Sequence, residues 1–341
     1  MTDHLVLVAN QGDDTIGSFL LTGGALTPLV RSPILGCSTF AVDERRDLVF
    51  ASSKQGPSVV TLRLDRADGS LSELSRCAVE DASNYLTLTP DGRMLLSASY
   101  HGGFGTSSPV SDAGVVAPAV SRIAHANTHS VAVTADGRFA YFVSLGEDLL
   151  AQCALGEDGS LTPLDPPTAP APPGTGPRHL LIDRAGTTVY VLTEFTAEVL
   201  RYRRDPESGT LRFIEAVATA DPAAGLGRSA FGLDPRAGHL IWGADLHLSL
   251  DESILWASER TASTLATLPV MASGALKPPL AFVTTEPQPR GFAVSPDGHW
   301  LVAAGERSTT VSLYDLSHPV PRFVGQAATG AGANWVRIIP R

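Results

Sequence analysis

A chain of 341 residues, 43% of them hydrophobic, can bury a large core, and its length alone would suggest two domains. Its net charge of −10 and its two lysines, Lys54 and Lys277, argue against a surface that binds nucleic acid or an anionic membrane. Three widely spaced cysteines without a Cys-x-x-Cys pair support neither a disulfide framework nor a zinc site.

The first predicted element is a short apolar strand from Leu5 to Ala9. No basic segment precedes it, and it breaks at Asn10, so it does not have the pattern of a signal peptide. Nowhere does the chain approach the roughly 20 consecutive apolar residues that cross a bilayer. We therefore expect a cytoplasmic protein with neither a membrane nor a nucleic acid as its partner.

From residue 40 onward, one pattern recurs: an alternating apolar strand, a turn built on aspartate, and a second apolar strand. Six aspartates mark these turns: Asp43, Asp91, Asp136, Asp183, Asp251 and Asp297. Neighbouring turns are 45 to 48 residues apart, except for one gap of 68 residues, and this is the spacing of four-stranded propeller blades. The longer gap predicts an insertion near residues 221–238.

A second type of turn, such as Asp68-Gly69 and Asp158-Gly159, recurs inside the repeats and indicates hairpins. The six repeats leave two apolar strands unassigned, one near each end of the chain. We expect Leu5–Ala9 and Trp335–Ile339 to pair in a seventh blade, because closing the ring removes exposed sheet edges. The sequence therefore predicts an all-β, seven-bladed β-propeller as a single domain over residues 1–341, with insertions near residues 101–125 and 221–238.

The two types of turn must lie on one face of the disc, so loops at the opposite face can converge on a pocket. Counting four to seven residues back from the turn aspartates gives Asn84, His129, Arg178, His179, His247 and Arg290. Counting nine to eleven residues forward gives Tyr100, His101, Glu194, Arg260, Glu306 and Arg307. So many ionisable residues at one rim suggest an anion-binding pocket with acid–base groups. A water-filled channel with solvated charges is the alternative.

The amino-acid sequences of several rim segments also resemble those of a known family. Thr128-His129-Ser130, Gly176-Pro177-Arg178-His179, Thr193-Glu194, Ala244-Asp245-Leu246-His247, residues 259–263 and residues 285–292 resemble the 6-phosphogluconolactonases of the seven-bladed propeller type and the related carboxymuconate cycloisomerases. The resemblance covers nearly the whole chain, and it implies that His129, Arg178, Glu194 and Arg260 line the active site. The two predicted insertions depart from the family pattern and could reshape the mouth of the pocket.

Lactone opening needs a base that activates water, a donor that holds the oxyanion, and an acid that protonates the leaving oxygen. We expect Glu194 or His129 to be the base, and Arg178 or Arg260 to hold the negative charge. Either arginine could instead be a structural ion-pair partner of an acidic residue between blades. No Gly-x-Ser-x-Gly motif occurs, which argues against a serine hydrolase.

Six further residues are candidate substrate ligands: His179, His247, Arg290, Asn84, His101 and Trp335. The two strand-end histidines could also be structural, and Trp335 could either stack on a sugar face or pack between blades. Arg290 follows Pro287 and Pro289, and these prolines favour a rigid strand entry as much as a ligand contact. Asp245 and His247 have a weak metal-ligand spacing, and we expect neither a metal nor another cofactor.

The leading hypothesis is a hydrolase of carboxylic esters that opens a sugar lactone, 6-phosphogluconolactone or a related aldonolactone, in carbohydrate metabolism and the pentose phosphate pathway. Its expected partner is a small anionic sugar lactone. One alternative is a carboxymuconate-type cycloisomerase, which forms a lactone. A second is a non-catalytic binding propeller, against which the rim has few exposed aromatic anchors of the kind that mark protein interfaces.

Overall fold

The computed structural model describes residues 3–341, so Met1 and Thr2, which the predicted domain included, lie outside the described residues. Residues 3–341 form 28 strands in seven four-stranded antiparallel sheets. The predicted all-β, seven-bladed propeller is therefore confirmed. The one helical turn of this part of the chain is Pro222–Ala224, and no helix in it is long and apolar enough to cross a membrane.

The blades are numbered from the one that holds both ends of the described chain, and their strands are given from the centre outward. Blade 1 consists of β28 (Ala333–Pro340), β1 (His4–Asn10), β2 (Thr15–Thr22) and β3 (Ala25–Pro33). Blade 2 consists of β4 (Cys37–Asp43), β5 (Leu48–Ser53), β6 (Ser58–Leu64) and β7 (Leu71–Ala78). Blade 3 consists of β8 (Tyr85–Leu88), β9 (Met94–Ser99), β10 (Phe104–Pro109) and β11 (Ser121–Ala124).

The remaining four blades follow the same order. Blade 4 consists of β12 (Thr128–Val133), β13 (Phe139–Ser144), β14 (Leu149–Leu155) and β15 (Leu161–Pro170). Blade 5 consists of β16 (Pro177–Ile182), β17 (Thr188–Thr193), β18 (Glu198–Arg204) and β19 (Leu211–Ala218). Blade 6 consists of β20 (Gly243–Leu248), β21 (Ile254–Glu259), β22 (Thr264–Pro269) and β23 (Ala281–Thr284). Blade 7 consists of β24 (Pro289–Val294), β25 (Trp300–Gly305), β26 (Thr310–Asp315) and β27 (Arg322–Ala328).

The ring closes in blade 1, where the C-terminal strand β28 is innermost and pairs with β1. The pairing is antiparallel and runs from His4 opposite Pro340 to Asn10 opposite Ala333. The predicted pairing of the two ends in one blade is therefore confirmed. It gives β1 a partner on its inner side, where that strand would otherwise present an exposed sheet edge.

The hydrophobic core is divided into layers between neighbouring blades. In β1, Leu5 packs with Val49 of blade 2, whereas the next residue, Val6, packs with Val302 of blade 7. Successive side chains of a strand point to opposite faces, so a strand buried on both sides is apolar at every position. This explains why the inner strands read as continuous apolar runs.

The recurrent aspartate turns have a local chemical cause. The Thr89 hydroxyl donates to the Asp91 carboxylate at 2.6 Å, and that carboxylate accepts the backbone N–H of Arg93 at 3.0 Å. Gly92 has a φ of +74°, which glycine adopts without strain. The turn at Asp136 repeats these contacts. These turns join the first and second strands of a blade and hold them in register.

The region of the predicted insertion near residues 101–125 contains two regular strands of blade 3. Residues 101–125 contain β10 and β11, joined by residues 110–120 on the face of the aspartate turns, where Val110 N–H donates to the Arg93 carbonyl at 2.7 Å. Gly105 and Pro109 are unfavourable in strands, and the small polar residues between them give no apolar alternation, which hid β10. The segment at residues 221–238 lies within the long connection between β19 and β20, at the opposite face.

Candidate functional site

A pocket of about 460 Å³ opens at the face opposite the aspartate turns. Seven of the ten predicted site residues line it: Glu194, His129, Arg178, Arg260, Arg290, Asn84 and His101. They come from five different blades, so the ring brings together residues that are far apart in the sequence. The structure thus groups all four residues predicted as catalytic.

Three of these side chains lie on β-bulges near the start of an innermost strand. The residues on either side of His129 in β12 pair with consecutive residues of β13, which leaves His129 outside the ladder. Arg178 in β16 and Arg290 in β24 are left out of their ladders in the same way. A bulge changes the direction of the extra side chain relative to the normal alternation. It therefore allows these three side chains to face the pocket.

Glu194 is shared by two buried arginines. Arg178 Nε donates to Glu194 Oε2 at 2.8 Å, and Arg260 Nη2 donates to the same oxygen at 2.9 Å. Both guanidinium groups are almost fully buried, at 1% and 4% exposure of their residues. Charge-assisted bonds of this kind are stronger than neutral ones and hold the carboxylate in a fixed orientation. Within residues 3–341, Glu194 Oε1 forms no hydrogen bond with another side chain.

The two arginines also decide the charge of Glu194. Burial alone would raise the pKa of Glu194, but Arg260 and Arg178 outweigh it and hold that pKa below its usual value. Burial lowers the pKa of Arg260 to about 9, and Glu194 acts in the opposite direction. At neutral pH the pocket therefore holds an ionised carboxylate and protonated guanidinium groups.

His129 is a buried, neutral imidazole in the pocket wall. Burial and then the charge of Arg178 lower its pKa well below the usual value. Its Nδ1 is buried and has no hydrogen-bond partner among the described residues. The Asn84 amide donates to the His129 backbone carbonyl, and the Tyr100 ring packs edge-on at 5.7 Å. The neutral ring of His129 can therefore donate a hydrogen bond to a ligand or accept one from it, but it does not add a positive charge to the pocket.

His179 lies behind the pocket wall and not on it. Arg178 Nη1 donates to His179 Nε2 at 3.1 Å, so Nδ1 carries the proton and donates it to Asp245 Oδ1 at 2.8 Å. Burial and Arg178 lower the pKa of His179 to about 4, which keeps the ring neutral. The predicted role of His179 as a substrate ligand is corrected: this side chain contacts Arg178 and Asp245.

His247 and Trp335 are also absent from the pocket lining, which corrects their predicted place. His247 Nε2 lies 3.3 Å from Asp245 Oδ2, deeper along β20. The Trp335 N–H donates to the Phe40 carbonyl at 2.8 Å, and its ring contacts the rings of Tyr85 and His179, which come from blades 3 and 5. Counting residues from a turn estimates the height of a residue along its strand but not the direction of its side chain.

Arg290 faces the pocket and is paired with an acidic residue. Its Nη1 donates to Glu306 Oε1 at 2.8 Å, and Gln288 donates to the other carboxylate oxygen. Burial would raise the pKa of Glu306, but the Arg290 charge outweighs it, and the pKa is lowered to about 2. The two prolines beside Arg290 lie at the strand entry, as the alternative interpretation anticipated.

Sequence analysis missed six residues of the pocket lining: Lys54, Pro57, Asp81, Ala82, Ser83 and Trp242. Lys54 follows Asp43 by eleven residues, as Glu194 follows Asp183, so the same forward count would have found it. Trp242 ends the long connection between β19 and β20, where no repeat gives a register. Its ring lies 3.6 Å from the Arg260 guanidinium carbon and covers that cation.

The chain is similar in sequence to two curated proteins that share one name. The chain is 28% identical over 345 residues to a 6-phosphogluconolactonase of Sodalis glossinidius, covering 99% of this chain and 96% of the relative. It is 25% identical over 337 residues to a 6-phosphogluconolactonase of Klebsiella pneumoniae, covering 98% and 94%.

The fold is likewise similar to a solved structure, the periplasmic gluconolactonase of Pseudomonas aeruginosa. The TM-score is 0.87 at 23% identity, and the match covers 99% of both chains. A family model described as "Lactonase, 7-bladed beta-propeller" matches residues 24–319. Since this match spans most of the chain, the protein belongs to the lactonase family of seven-bladed β-propellers.

Proposed function

We propose that this protein is a hydrolase that opens a sugar lactone, and that its substrate is 6-phosphogluconolactone. The observation that carries the proposal is Glu194, an ionised carboxylate with one oxygen held by two arginines and the other directed to no side-chain partner. The names of the relatives from Sodalis and Klebsiella support the choice of substrate. This activity belongs to carbohydrate metabolism, in the pentose phosphate pathway.

The chemistry needs only groups that line the pocket. Glu194 Oε1 accepts a proton from water, and the water oxygen attacks the lactone carbonyl carbon. Arg178 uses Nε and Nη1 for Glu194, Ala244 and His179, so its Nη2 is left to donate to the oxyanion. The bond between the carbonyl carbon and the ring oxygen then breaks, and the proton held by Glu194 passes to that oxygen. Neutral His129 donates or accepts a hydrogen bond beside the reacting atoms.

Hydrolysis is favoured over lactone formation. A muconate-type cycloisomerase would use similar groups on an unsaturated dicarboxylate, but the curated relatives reported above are named for a lactonase. An ionised carboxylate held by two buried arginines in a pocket lining is more typical of a catalytic site than of a binding surface.

We also propose a cytoplasmic location. A phosphorylated sugar carries a charge that prevents its free passage through a membrane, so its hydrolase must be in the compartment where it forms. The Pseudomonas neighbour is named a periplasmic gluconolactonase, without a phosphate in its name. The proposed cytoplasmic location therefore depends on the proposed phosphate group of the substrate.

The test is a rate measurement on freshly prepared lactones. We expect the protein to accelerate acid release from 6-phosphogluconolactone above the spontaneous rate of ring opening, which is measured in the same buffer. Glucono-δ-lactone and a muconolactone serve as comparison substrates. If the protein hydrolyses none of these lactones, the proposed function is wrong. Faster consumption of an unsaturated dicarboxylate would favour the cycloisomerase.

A further inference from the structure

Lys54 is a pocket cation that the proposed chemistry does not use. It follows β5 directly, and its backbone N–H donates to the Gly36 carbonyl at 3.0 Å. The Asp14 carboxylate holds the same two segments together, because it accepts hydrogen bonds from the Gly36 N–H at 2.8 Å and from the Gln55 side-chain amide at 3.2 Å. The main chain beside Lys54 is therefore fixed from a neighbouring blade, while its side chain reaches the pocket.

The pairing of charges singles out Lys54. Arg178 and Arg260 share Glu194, and Arg290 has Glu306. No ion pair within residues 3–341 includes Lys54, although its side chain lines the same pocket. Partial burial and then the charge of Arg290 lower the pKa of Lys54, and the Glu306 carboxylate acts in the opposite direction without outweighing them. An anionic group on a ligand would relieve this repulsion.

The ring places Lys54 and Arg290 on one side of the pocket. They belong to blades 2 and 7, which are separated only by blade 1, and blade 1 contributes none of the residues that line this pocket. Glu194 belongs to blade 5, across the ring from blade 2. A substrate that spans the pocket therefore presents its two ends to different groups. In 6-phosphogluconolactone, the carbonyl at C1 and the phosphate at C6 are such ends.

We propose that Lys54 and Arg290 form a subsite for a phosphomonoester, which selects a phosphorylated sugar lactone and directs its carbonyl toward Glu194. The inference rests on the proposed function. The ammonium group acts as a point charge, whereas the planar guanidinium provides directed donors beyond the one that holds Glu306. Lys54 is thus a specificity-determining residue, and removing it affects the phosphorylated substrate selectively.

The experiment compares Lys54→Met with the wild type on 6-phosphogluconolactone and on glucono-δ-lactone. We expect kcat/KM for the phosphorylated lactone to fall about 10- to 100-fold, the usual loss for one charge-assisted contact, with little change for the unphosphorylated lactone. Lys54→Arg should recover most of the loss. The matched control is Lys277→Met, which removes the other lysine of the chain, an exposed residue near the turn on the opposite face.

Binding of the reaction products gives a readout that does not depend on catalysis. We expect the wild type to bind 6-phosphogluconate more tightly than gluconate in calorimetry, and Lys54→Met to lose this difference. If the wild type and Lys54→Met prefer 6-phosphogluconate over gluconate to the same extent, the proposed subsite is wrong. If both lactones are hydrolysed and Lys54→Met acts on both as the wild type does, the subsite is wrong and the lactonase function stands. If the wild type discriminates between the acids but hydrolyses no lactone, the proposed function is wrong instead.

Discussion

The two oxygens of the Glu194 carboxylate are in different environments. Oε2 accepts hydrogen bonds from two guanidinium groups, whereas Oε1 accepts none from the side chains of residues 3–341. The arginines lower the pKa of Glu194 and so weaken it as a base, but they also keep it ionised and fix its direction. Orientation and correct protonation compensate for reduced basicity when the base acts on a single bound water.

Replacement of Glu194 by glutamine tests this residue directly. The amide keeps the shape and one hydrogen-bonding oxygen but cannot accept the proton of water. We expect kcat to fall by about 10²- to 10⁴-fold with KM nearly unchanged, the usual share of a general base. Steady-state kinetics on the lactone give both constants. Glu157→Gln, an exposed position in a turn on the opposite face, is the matched control.

His129→Asn separates the two candidate bases. If Glu194 is the base, His129→Asn should have a smaller effect on kcat than Glu194→Gln, because the neutral imidazole only supports the reacting groups. A large loss in the histidine variant with normal kcat in the glutamine variant would assign the base to His129. Normal turnover in both variants would contradict the mechanism as a whole.

At the scale of the strand, the sequence predicted the position of a residue along its strand better than the direction of its side chain. The aspartate turns fix the ends of each hairpin, so counting from them predicted that His129, Arg178 and Glu194 reach the same rim. Next to the bulge that turns Arg178 into the pocket, the ring of His179 lies instead beside Tyr85 of blade 3 and Trp335 of blade 1, below the pocket lining. A bulge has no sequence marker here, and Trp242 ends a connection outside the repeat. These features arise only when the backbone is folded.

The contact between strands β16 and β20 predicts a pH dependence of stability. Burial and Arg178 hold the pKa of His179 at about 4, against roughly 6.5 in an unfolded chain. Below pH 6.5 the unfolded chain binds a proton that the folded protein excludes, so stability falls as the pH falls toward 4. The contribution of His179 to the loss between pH 6.5 and 5 should be on the order of 2 kcal/mol, and the buried His129 adds to it in the same direction.

Denaturant unfolding at several pH values measures this loss. His179→Gln cannot titrate, so its free energy of unfolding should fall less steeply over the same interval. His101→Gln, a rim histidine with an exposed side chain, is the control and should keep the wild-type slope. A slope in His179→Gln equal to that of the wild type would show that His179 is not the group responsible.

At the scale of the whole molecule, closure makes the two ends of the described chain interdependent. β28 is the innermost strand of blade 1, and its side chains pack against blades 2 and 7. Removing it would expose two hydrophobic layers and leave the inner edge of β1 unpaired. The loss therefore extends beyond one blade.

Deletion of residues 333–341 should abolish cooperative folding of the whole disc. Circular dichroism and thermal unfolding measure this effect, and deletion of Arg341 alone is the control, since that residue contacts only carbonyls at the surface. A truncated protein that keeps a sharp transition near the wild-type temperature would mean that β28 is not needed for closure.

The bulges near the start of the inner strands have a further consequence. The extra residue is Asn334 in blade 1, Ser38 in blade 2, His129 in blade 4, Arg178 in blade 5 and Arg290 in blade 7. A bulge re-aims the side chain of its extra residue, so these five residues stand outside the regular alternation of side chains along their strands. The set of side chains at one repeated backbone position can therefore diversify while the scaffold is conserved. Duplicated blades offer evolution several interchangeable positions around a common centre, each able to acquire new chemistry independently of the others.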